Sequence, residues 1–491
     1  MAYLNYAPVV HKREAGPVII VGTTASIFAA IWIVTGNVDQ NIAAAMIGGI
    51  LIGIALLQPR VAIVLTFMYL AVMGDVRRYI VSESGTIKND PLLLVGPAVA
   101  AVLLASGLAK RRTMLRTQTS ALVFALMIVM VLEMLNPLQG GLSVGLAGGL
   151  FFIVPLLWFW IGQAWSDSEF LKNVLVRVVV PLAVLASVLG LMQGTIGYLH
   201  YEAVWFRMTT ESASRPDMRP FSFFCSWGEY PFYLGIALVV VLAPLFIGKL
   251  RVVAVLAPLF VWAMIVQSVR EAILESLLAL CVVWAVQGRS RATMSARLVL
   301  AGIMGLGLLV LGMTALKNVD VESKVVQQNL AHSADGFLEI ENSTAGTHLD
   351  LIADGLVYGF THPIGLGLGG PTIAGAAEGG FSSEMDFSDV FIACGVVGGI
   401  LNLILMFAVL RGVIVYWRDH RDLAALYVLA IIVLELGHWL AGGSYATSAI
   451  VWFGIGTIDR MLASATATGP APVIARTEQV LPLRSRFAPA R

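Results

Sequence analysis

The sequence predicts an all-α fold: a polytopic transmembrane helical bundle of about 14 spans (12–14), with a large, partly helical outer loop. Two observations carry this prediction. Apolar stretches of about twenty residues recur along the chain, and an α-helix needs roughly 20 apolar residues to cross a bilayer core. Hydrophobic residues make up 58% of the chain and charged residues only 12%, whereas a soluble domain carries about 25% charged residues.

The candidate spans follow one another with mostly short gaps. Because one of them, 60–74, is short for a span, the expected number ranges from 12 to 14. The N-terminal segment lacks a signal-peptide layout, so we expect the first helix to be retained. In chain order the spans are 17–36, 41–57, 60–74, 91–109, 118–137, 145–163, 172–192, 230–248, 250–268, 271–288, 297–315, 387–413, 422–441 and 444–462.

Basic residues collect in every second gap between these spans. With the N-terminus in the cytoplasm, 22 of the 31 Lys and Arg residues fall on the cytoplasmic side, as the positive-inside rule requires. The pattern holds through the last span, so both termini are expected in the cytoplasm. The nine basic residues left on the outer side are Arg77, Arg78, Lys88, Arg207, Arg215, Arg219, Arg270, Lys317 and Lys324.

The chain divides into one membrane domain, 1–463, and a tail, 464–491, that we expect to be disordered and cytoplasmic because it is rich in Ala, Pro, Thr and Arg. The membrane domain includes two long outer loops, 193–229 and 316–386. The second loop mixes apolar with polar residues, which favours an ordered cap over the membrane domain. A net charge of +1 gives no bulk attraction to nucleic acid.

The three cysteines, Cys225, Cys281 and Cys394, form no CxxC motif and indicate neither a metal site nor a disulfide framework. A pairing of Cys225 with Cys394 is conceivable because both fall near the outer boundary. We therefore expect no cofactor and no metal.

Three outer arginines near helix ends predict an anion site at the membrane surface. Arg270 lies in the tight turn QSVREAILES, and Arg215 and Arg219 precede the span that follows the first long loop. A guanidinium can hold phosphate oxygens through paired hydrogen bonds. The alternatives are snorkelling of Arg270 or its pairing with Glu271 or Glu275, and pairing of Arg215 with a neighbouring aspartate.

Candidate proton-transfer groups flank this predicted anion site. Glu229 opens a span, Asp386 begins another, and His348 lies in a helix-like part of the second loop. A histidine suits proton transfer near neutral pH. Helix capping is the alternative for the two acids, and a solvated or structural role is the alternative for His348.

Other polar residues have simpler interpretations. Glu133, Glu435 and His438 lie inside predicted spans and are expected to be interhelical partners or to line a cavity. The glycine-rich segment 365–370 (GLGLGG) is not in a strand–turn–helix unit, so we interpret it as a turn or a close backbone approach rather than a dinucleotide site.

Four segments of the chain carry a family resemblance: RPFSFFCSWGEYPFYLGIAL (219–238), SVREAILESLLAL (268–280), HLDLIADGLVYGFTHPIGLGLGG (348–370) and DFSDVFIACGVVGGILNLIL (386–405). Together they resemble the O-antigen ligase/polymerase superfamily of bacterial envelope polysaccharide proteins. The first segment is similar to that family's arginine stretch that leads into a helix, and the second to its arginine-bearing helix start. The third is similar to the helix and Pro-x-Gly-x-Gly turn late in its large loop. The fourth is similar to its helix with Gly-x-x-Gly after that loop.

The resemblance implies a metal-independent glycosyltransferase in the bacterial inner membrane. Such a protein transfers glycans from an undecaprenyl-diphosphate carrier on the outer side, with Arg219, Arg270 and Arg215 on the diphosphate and His348, Asp386 or Glu229 at the acceptor. Its implied partners are the lipid-linked glycan, membrane lipid, and chain-length regulator and export proteins.

Departures from the family pattern favour a polymerase over a ligase. The chain has Glu384–Asp386 where many members carry His-Asn, His348 where members often have Arg, and Ser268-Val-Arg270 in place of adjacent Ser-Arg. Two alternatives from other classes stay open: a transporter of polysaccharide or lipid-linked oligosaccharide, and a structural subunit.

Overall fold

The computed structural model describes residues 40–84, 90–110, 112, 117–208, 219–249, 252–288, 290–317, 326–328, 330–331, 345–376, 379–383, 385–440 and 444–468. Within these ranges every regular element is a helix, and there is no strand. Eight helices are long and apolar enough to cross a membrane. The described residues therefore form an all-helical bundle of a membrane protein. The predicted first span, 17–36, and most of the predicted tail lie outside the described residues.

Each of the other thirteen predicted spans contains a helix. Besides the eight long helices there are shorter apolar ones, so the predicted count of about 14 spans is not confirmed. The helices are α1 (Gln40–Leu57), α2 (Pro59–Ser84), α3 (Val95–Ala109), α4 (Gln118–Glu133), α5 (Leu142–Trp165), α6 (Ser168–Thr195), α7 (His200–Met208), α8 (Glu229–Leu242), α9 (Ala257–Gln267), α10 (Arg270–Ala285), α11 (Arg291–Lys317), α12 (Ala345–Thr361), α13 (Asp386–His420), α14 (Leu423–Leu434) and α15 (Tyr445–Thr468).

Several boundaries differ from the predicted ones. The segment predicted as the short span 60–74 belongs to α2, which continues to Ser84 because the polar residues after 74 are held by partners at the helix end. The span predicted as 422–441 ends as a helix at Leu434, and a turn follows it. Helix α15 runs to Thr468, past the predicted start of the tail at 464.

Helices α8 and α14 form the centre of the bundle. Every residue of α14 is buried, as are almost all residues of α8, and a helix that is apolar on all sides belongs in a core. Helix α11 lies at the periphery, with long apolar side chains such as Ile303 and Leu311 exposed. These exposed side chains suit contact with membrane lipid.

Side-chain contacts define two ends of the bundle. At one end Asp459 accepts hydrogen bonds from Thr117 Oγ1 (2.8 Å) and Gln163 Nε2 (2.6 Å); we call this the Asp459 end. At the other end Glu229 Oε1 accepts a hydrogen bond from Ala446 N (2.6 Å); we call this the Glu229 end. Residues predicted to share the outer side, including Arg78 and Arg219, meet at the Glu229 end.

The glycine-rich segment after α12 inserts into a break in α13. Leu366 N and Gly367 N donate to Ile392 O (2.8 Å) and Ala393 O (3.1 Å). Helix α13 is interrupted at Gly395, whose φ is +62°, a conformation that favours glycine. Two backbone N–H groups of the segment are thus satisfied by carbonyls of α13, as buried polar groups require. The predicted close backbone approach of 365–370 is confirmed.

Substituting Gly395 by alanine should destabilise the bundle by at least about 2 kcal/mol, because the residue would be strained and its Cβ would lie 1.9 Å from Pro363 O. Thermal unfolding of the purified protein in detergent measures this effect. The matched control is Gly412→Ala in the same helix, where a Cβ meets only a leucine methyl at 3.8 Å. Equal melting temperatures for both variants would contradict the prediction.

Candidate functional site

Two of the predicted phosphate-binding arginines belong to segments that touch at the Glu229 end. Gln267, the last residue of α9, donates from Nε2 to Trp227 O (2.7 Å), and its Oε1 accepts from Val269 N (3.0 Å). The Arg219 guanidinium lies over the Trp227 ring, 5.4 Å from its centroid, and Arg270 begins α10. The loop 219–228 and the turn 267–270 are therefore joined, and each carries an arginine.

A buried polar network supports the loop 219–228 from behind. Arg78 is 4% exposed and donates to Phe224 O (2.7 Å) and Ser222 O (3.0 Å). Gln193 Oε1 accepts from the backbone N–H groups of Phe221 (3.1 Å) and Ser222 (2.7 Å). Paired buried polar groups of this kind fix a backbone in one conformation. The sequence analysis counted Arg78 only as an outer basic residue; here it positions the loop.

Glu202 and Tyr198 complete this support. Glu202 accepts hydrogen bonds from Gln193 Nε2 (2.6 Å) and Leu199 N (2.7 Å), and Tyr198 Oη donates to Arg219 O (2.9 Å). Burial raises the pKa of the Glu202 carboxyl above its ordinary value, although the Leu199 N–H and the nearby Arg78 act in the opposite direction. The backbone of Arg219 is thus held by residues from the preceding loop.

Replacing Arg78 by methionine should lower the stability of the protein by roughly 2 to 4 kcal/mol, since two charge-assisted hydrogen bonds to buried carbonyls are lost. We expect a lower melting temperature in detergent and faster proteolysis within the loop 219–228. Arg207→Met is the control, because Arg207 is an exposed arginine of α7. A wild-type melting temperature for Arg78→Met would mean that the loop does not depend on this side chain.

Glu229 is fully buried where the loop enters α8. Its Oε1 accepts the hydrogen bond from Ala446 N at the start of α15, and its own N–H is bonded to Ser226 Oγ (3.1 Å). The carboxylate therefore caps α15 and not α8, the helix that it opens and that the capping alternative concerned; α8 has no side-chain cap. Glu229 was also predicted as a proton-transfer group, and it directly follows the arginine loop.

A cluster of acids and one histidine lies beside the turn 267–270. Glu271 and Glu275 are four residues apart on α10, so they share one face of the helix. His438, in the turn after α14, lies with its Nε2 at 3.2 Å from Glu271 Oε1. Fully buried Glu435 interacts electrostatically with His438 and Glu275. His438 is thus an interhelical partner, as expected.

The predicted acid Asp386 connects this cluster to the start of α13. Asp386 N donates to Gly437 O (2.7 Å), and its carboxylate accepts from Leu440 N. Asp389 accepts from Ser383 N (2.6 Å) and from Ser383 Oγ (2.8 Å). Both aspartates therefore stabilise the chain around the helix start, and Asp386 fixes the turn that carries His438.

The remaining candidates are only partly located. His348 lies in the first turn of α12, which packs along α13 through a hydrogen bond from Ser388 Oγ to Ile352 O (2.9 Å). Arg215 and Glu384 lie outside the described residues. The three cysteines are free, so the conceivable Cys225–Cys394 disulfide is absent. Burial raises the pKa of the Cys225 thiol to about 11, so this thiol is protonated at neutral pH.

Comparison of the chain with protein-family models, with curated proteins and with solved structures finds no match. The functional argument therefore depends on the arrangement at the Glu229 end. There, two arginine-bearing segments adjoin Glu229 and the cluster of Glu271, Glu275, Glu435 and His438.

Proposed function

We propose that the protein is a membrane glycosyltransferase that polymerises undecaprenyl-diphosphate-linked oligosaccharide repeat units into exopolysaccharide or O-antigen, on the outer side of the bacterial inner membrane. The observation that carries the proposal is the joining of the Arg219 loop to the Arg270 turn through Gln267 and Trp227. Two cations at one end of an apolar bundle suit a substrate with an anionic head and a lipid tail.

In this reaction a hydroxyl oxygen of the acceptor glycan forms a bond to the anomeric carbon of the donor. The bond from that carbon to the phosphate oxygen breaks, and the diphosphate leaves with the electron pair. Negative charge develops on the leaving group, and Arg219 and Arg270 stabilise it. Because hydrogen bonds fix the arginine-bearing segments in advance, little reorganisation is needed during the reaction.

The acceptor proton needs a base. Glu229 is the first candidate because it follows the arginine loop directly: its Oε1 accepts from Ala446 N (2.6 Å), but its Oε2 has no hydrogen-bond partner among the described residues. Asp386 and His348 are the others. The carboxylate of Asp386 accepts from Leu440 N, so its lone pairs are partly used in holding the backbone. His348 is near the N-terminus of α12, on the segment predicted to cap the membrane domain.

A second candidate function is transport of polysaccharide or lipid-linked oligosaccharide. Ionisable residues inside a membrane domain mark ion and proton pathways, and buried Glu435 beside Glu275 and His438 is such a group. This candidate predicts a different phenotype, namely lipid-linked repeat units that stay on the inner face of the membrane.

The experiment is gel and mass analysis of surface and lipid-linked glycans in a deletion strain. The same strain with the wild-type gene on a plasmid is the comparison. Single repeat units in place of long polymer support the polymerase. Full-length polymer held on the lipid carrier indicates a ligase, and repeat units on the inner face indicate a transporter. Unchanged glycans would refute the proposed function and favour a structural subunit.

A further inference from the structure

We propose that Glu271, Glu275 and His438 bind one divalent transition-metal cation of the Zn²⁺ or Mn²⁺ class. One ligand atom from each of these residues lies within 4.8 Å of the other two. The set offers two carboxylates and one imidazole, which are ordinary ligands of such cations. The proposal goes beyond the glycosyltransferase function, for which we expected no metal, and it does not depend on that function.

To bind one ion, the three ligand atoms, which lie within 4.8 Å of one another, need to move only slightly. Two ligand atoms that are each about 2.1 Å from one ion lie roughly 3.4 Å apart at a tetrahedral angle. His438 Nε2 and Glu271 Oε1 are 3.2 Å apart, close to that value. Glu275 is one helical turn from Glu271 on the same face of α10, and one of its carboxylate oxygens lies within 4.8 Å of the other two ligand atoms.

A further buried group points to a cation at this place. Glu435 is fully buried, and neither of its carboxylate oxygens has a hydrogen-bond partner among the described residues. It precedes His438 by three residues in the turn after α14, and its backbone carbonyl accepts a hydrogen bond from His438 N (2.8 Å), so it lies next to this ligand. Glu275 Oε2 is likewise buried with no hydrogen bond in the described part of the chain.

The charge balance favours a cation. Three carboxylates (Glu271, Glu275 and Glu435), with Asp386 as a fourth nearby, surround one imidazole. A buried carboxylate is costly unless a partner or a proton compensates it. The contact of His438 with Glu271 can compensate the charge of only one of these carboxylates. A divalent cation compensates two charges and provides the partner that Glu275 requires. Glu271 is 44% exposed, which gives the ion a path from solvent.

His438 is also fixed for this role. Its ring lies 4.6 Å from the Phe232 ring, and its backbone N–H donates to Glu435 O (2.8 Å). Asp386 holds the same turn through Gly437 and Leu440. Ligands whose orientation is fixed by surrounding contacts bind metal more tightly than mobile ones.

The test uses the full-length protein, purified in detergent with a tag that contains no histidine and stripped with EDTA. Titration calorimetry and elemental analysis then measure binding of Zn²⁺ and of Mn²⁺. We expect one equivalent for wild type, and at least about 10-fold weaker binding for His438→Ala and Glu275→Gln. His420→Ala is the matched control, because His420 stacks on Tyr416 at the far end of α13 and should bind like wild type.

Sub-stoichiometric binding by wild type, or equal binding by the His438→Ala variant, would overturn the proposal. It would mean that protons and hydrogen bonds alone balance the cluster. X-ray absorption spectroscopy of the Zn²⁺-loaded wild-type protein identifies the ligands of the ion directly. This second test therefore does not depend on whether the variants fold. Scattering from one imidazole and oxygen ligands at about 2.0–2.2 Å supports the site, and a first shell without imidazole refutes it.

Discussion

Cells that carry Arg270→Ala are expected to make no long polymer, although the protein is present at its wild-type level. Arg270 begins α10 at the point where Gln267 joins the two arginine-bearing segments. A donor that stabilises developing charge on a leaving group contributes about 100- to 1000-fold to a rate. Glycan ladders from the complemented deletion strain, with immunoblots of membrane fractions, measure the effect.

Two further variants make this result specific. Arg270→Lys keeps the charge but loses the planar fork, so it should restore only short chains if the guanidinium binds phosphate oxygens in a bidentate manner. Arg207→Ala removes an exposed arginine of α7 at the same end of the bundle and should give wild-type ladders. Normal chain length with Arg270→Ala would exclude this residue from the site.

Glu229→Gln should lower polymerisation by about 100-fold or more while leaving the melting temperature close to that of wild type. The amide oxygen of glutamine can still accept the hydrogen bond from Ala446 N, so the cap of α15 is kept. What is lost is the ability to accept a proton, which general-base catalysis requires and which contributes about 100- to 10,000-fold. Radiolabelled repeat-unit incorporation in membranes measures the rate.

Glu229→Ala is the companion variant. It removes both the proton acceptor and the cap, so we expect a lower melting temperature as well as lost polymer. Comparison of Glu229→Gln with Glu229→Ala therefore separates the role of Glu229 as a proton acceptor from its role as the cap of α15. Full activity in Glu229→Gln together with instability in Glu229→Ala would leave Glu229 as a structural cap, and the base would then be sought at His348 or Asp386.

The helices could be predicted because length and apolarity determine them. Long apolar segments such as 91–109 and 145–163 correspond closely to α3 and α5 with their adjoining turns. The end of α14 at Leu434 was not predicted, although Glu435, Gly437 and His438 interrupt the apolar sequence directly after it. The predicted span continued because Trp439 and Leu440 follow, whereas in the structure the chain turns there and His438 contacts Glu271 of α10. A local pattern does not contain such tertiary contacts.

The candidate site was predictable only in part. Arg219 and Arg270 were identifiable because outer arginines oppose the charge bias. The contact of Glu271 with His438 spans 167 positions, and no spacing rule predicts such a pair. The spacing of Glu271 and Glu275 was visible, but without the third ligand these two acids were considered only as partners of Arg270. The support of the loop by Arg78, from 146 positions away, was hidden in the same way.

The inserted glycine segment has a consequence for biosynthesis. It contacts earlier parts of the chain, through Leu368 N to Glu133 O (3.2 Å) and Gly369 N to Gln139 Oε1 (2.9 Å), and also residues that follow it, at Ile392 and Ala393. Its final position therefore cannot form until the ribosome has produced α13. The hydrogen bonds that connect α4 and the turn after it, through this segment, to α13 are therefore completed only late in synthesis.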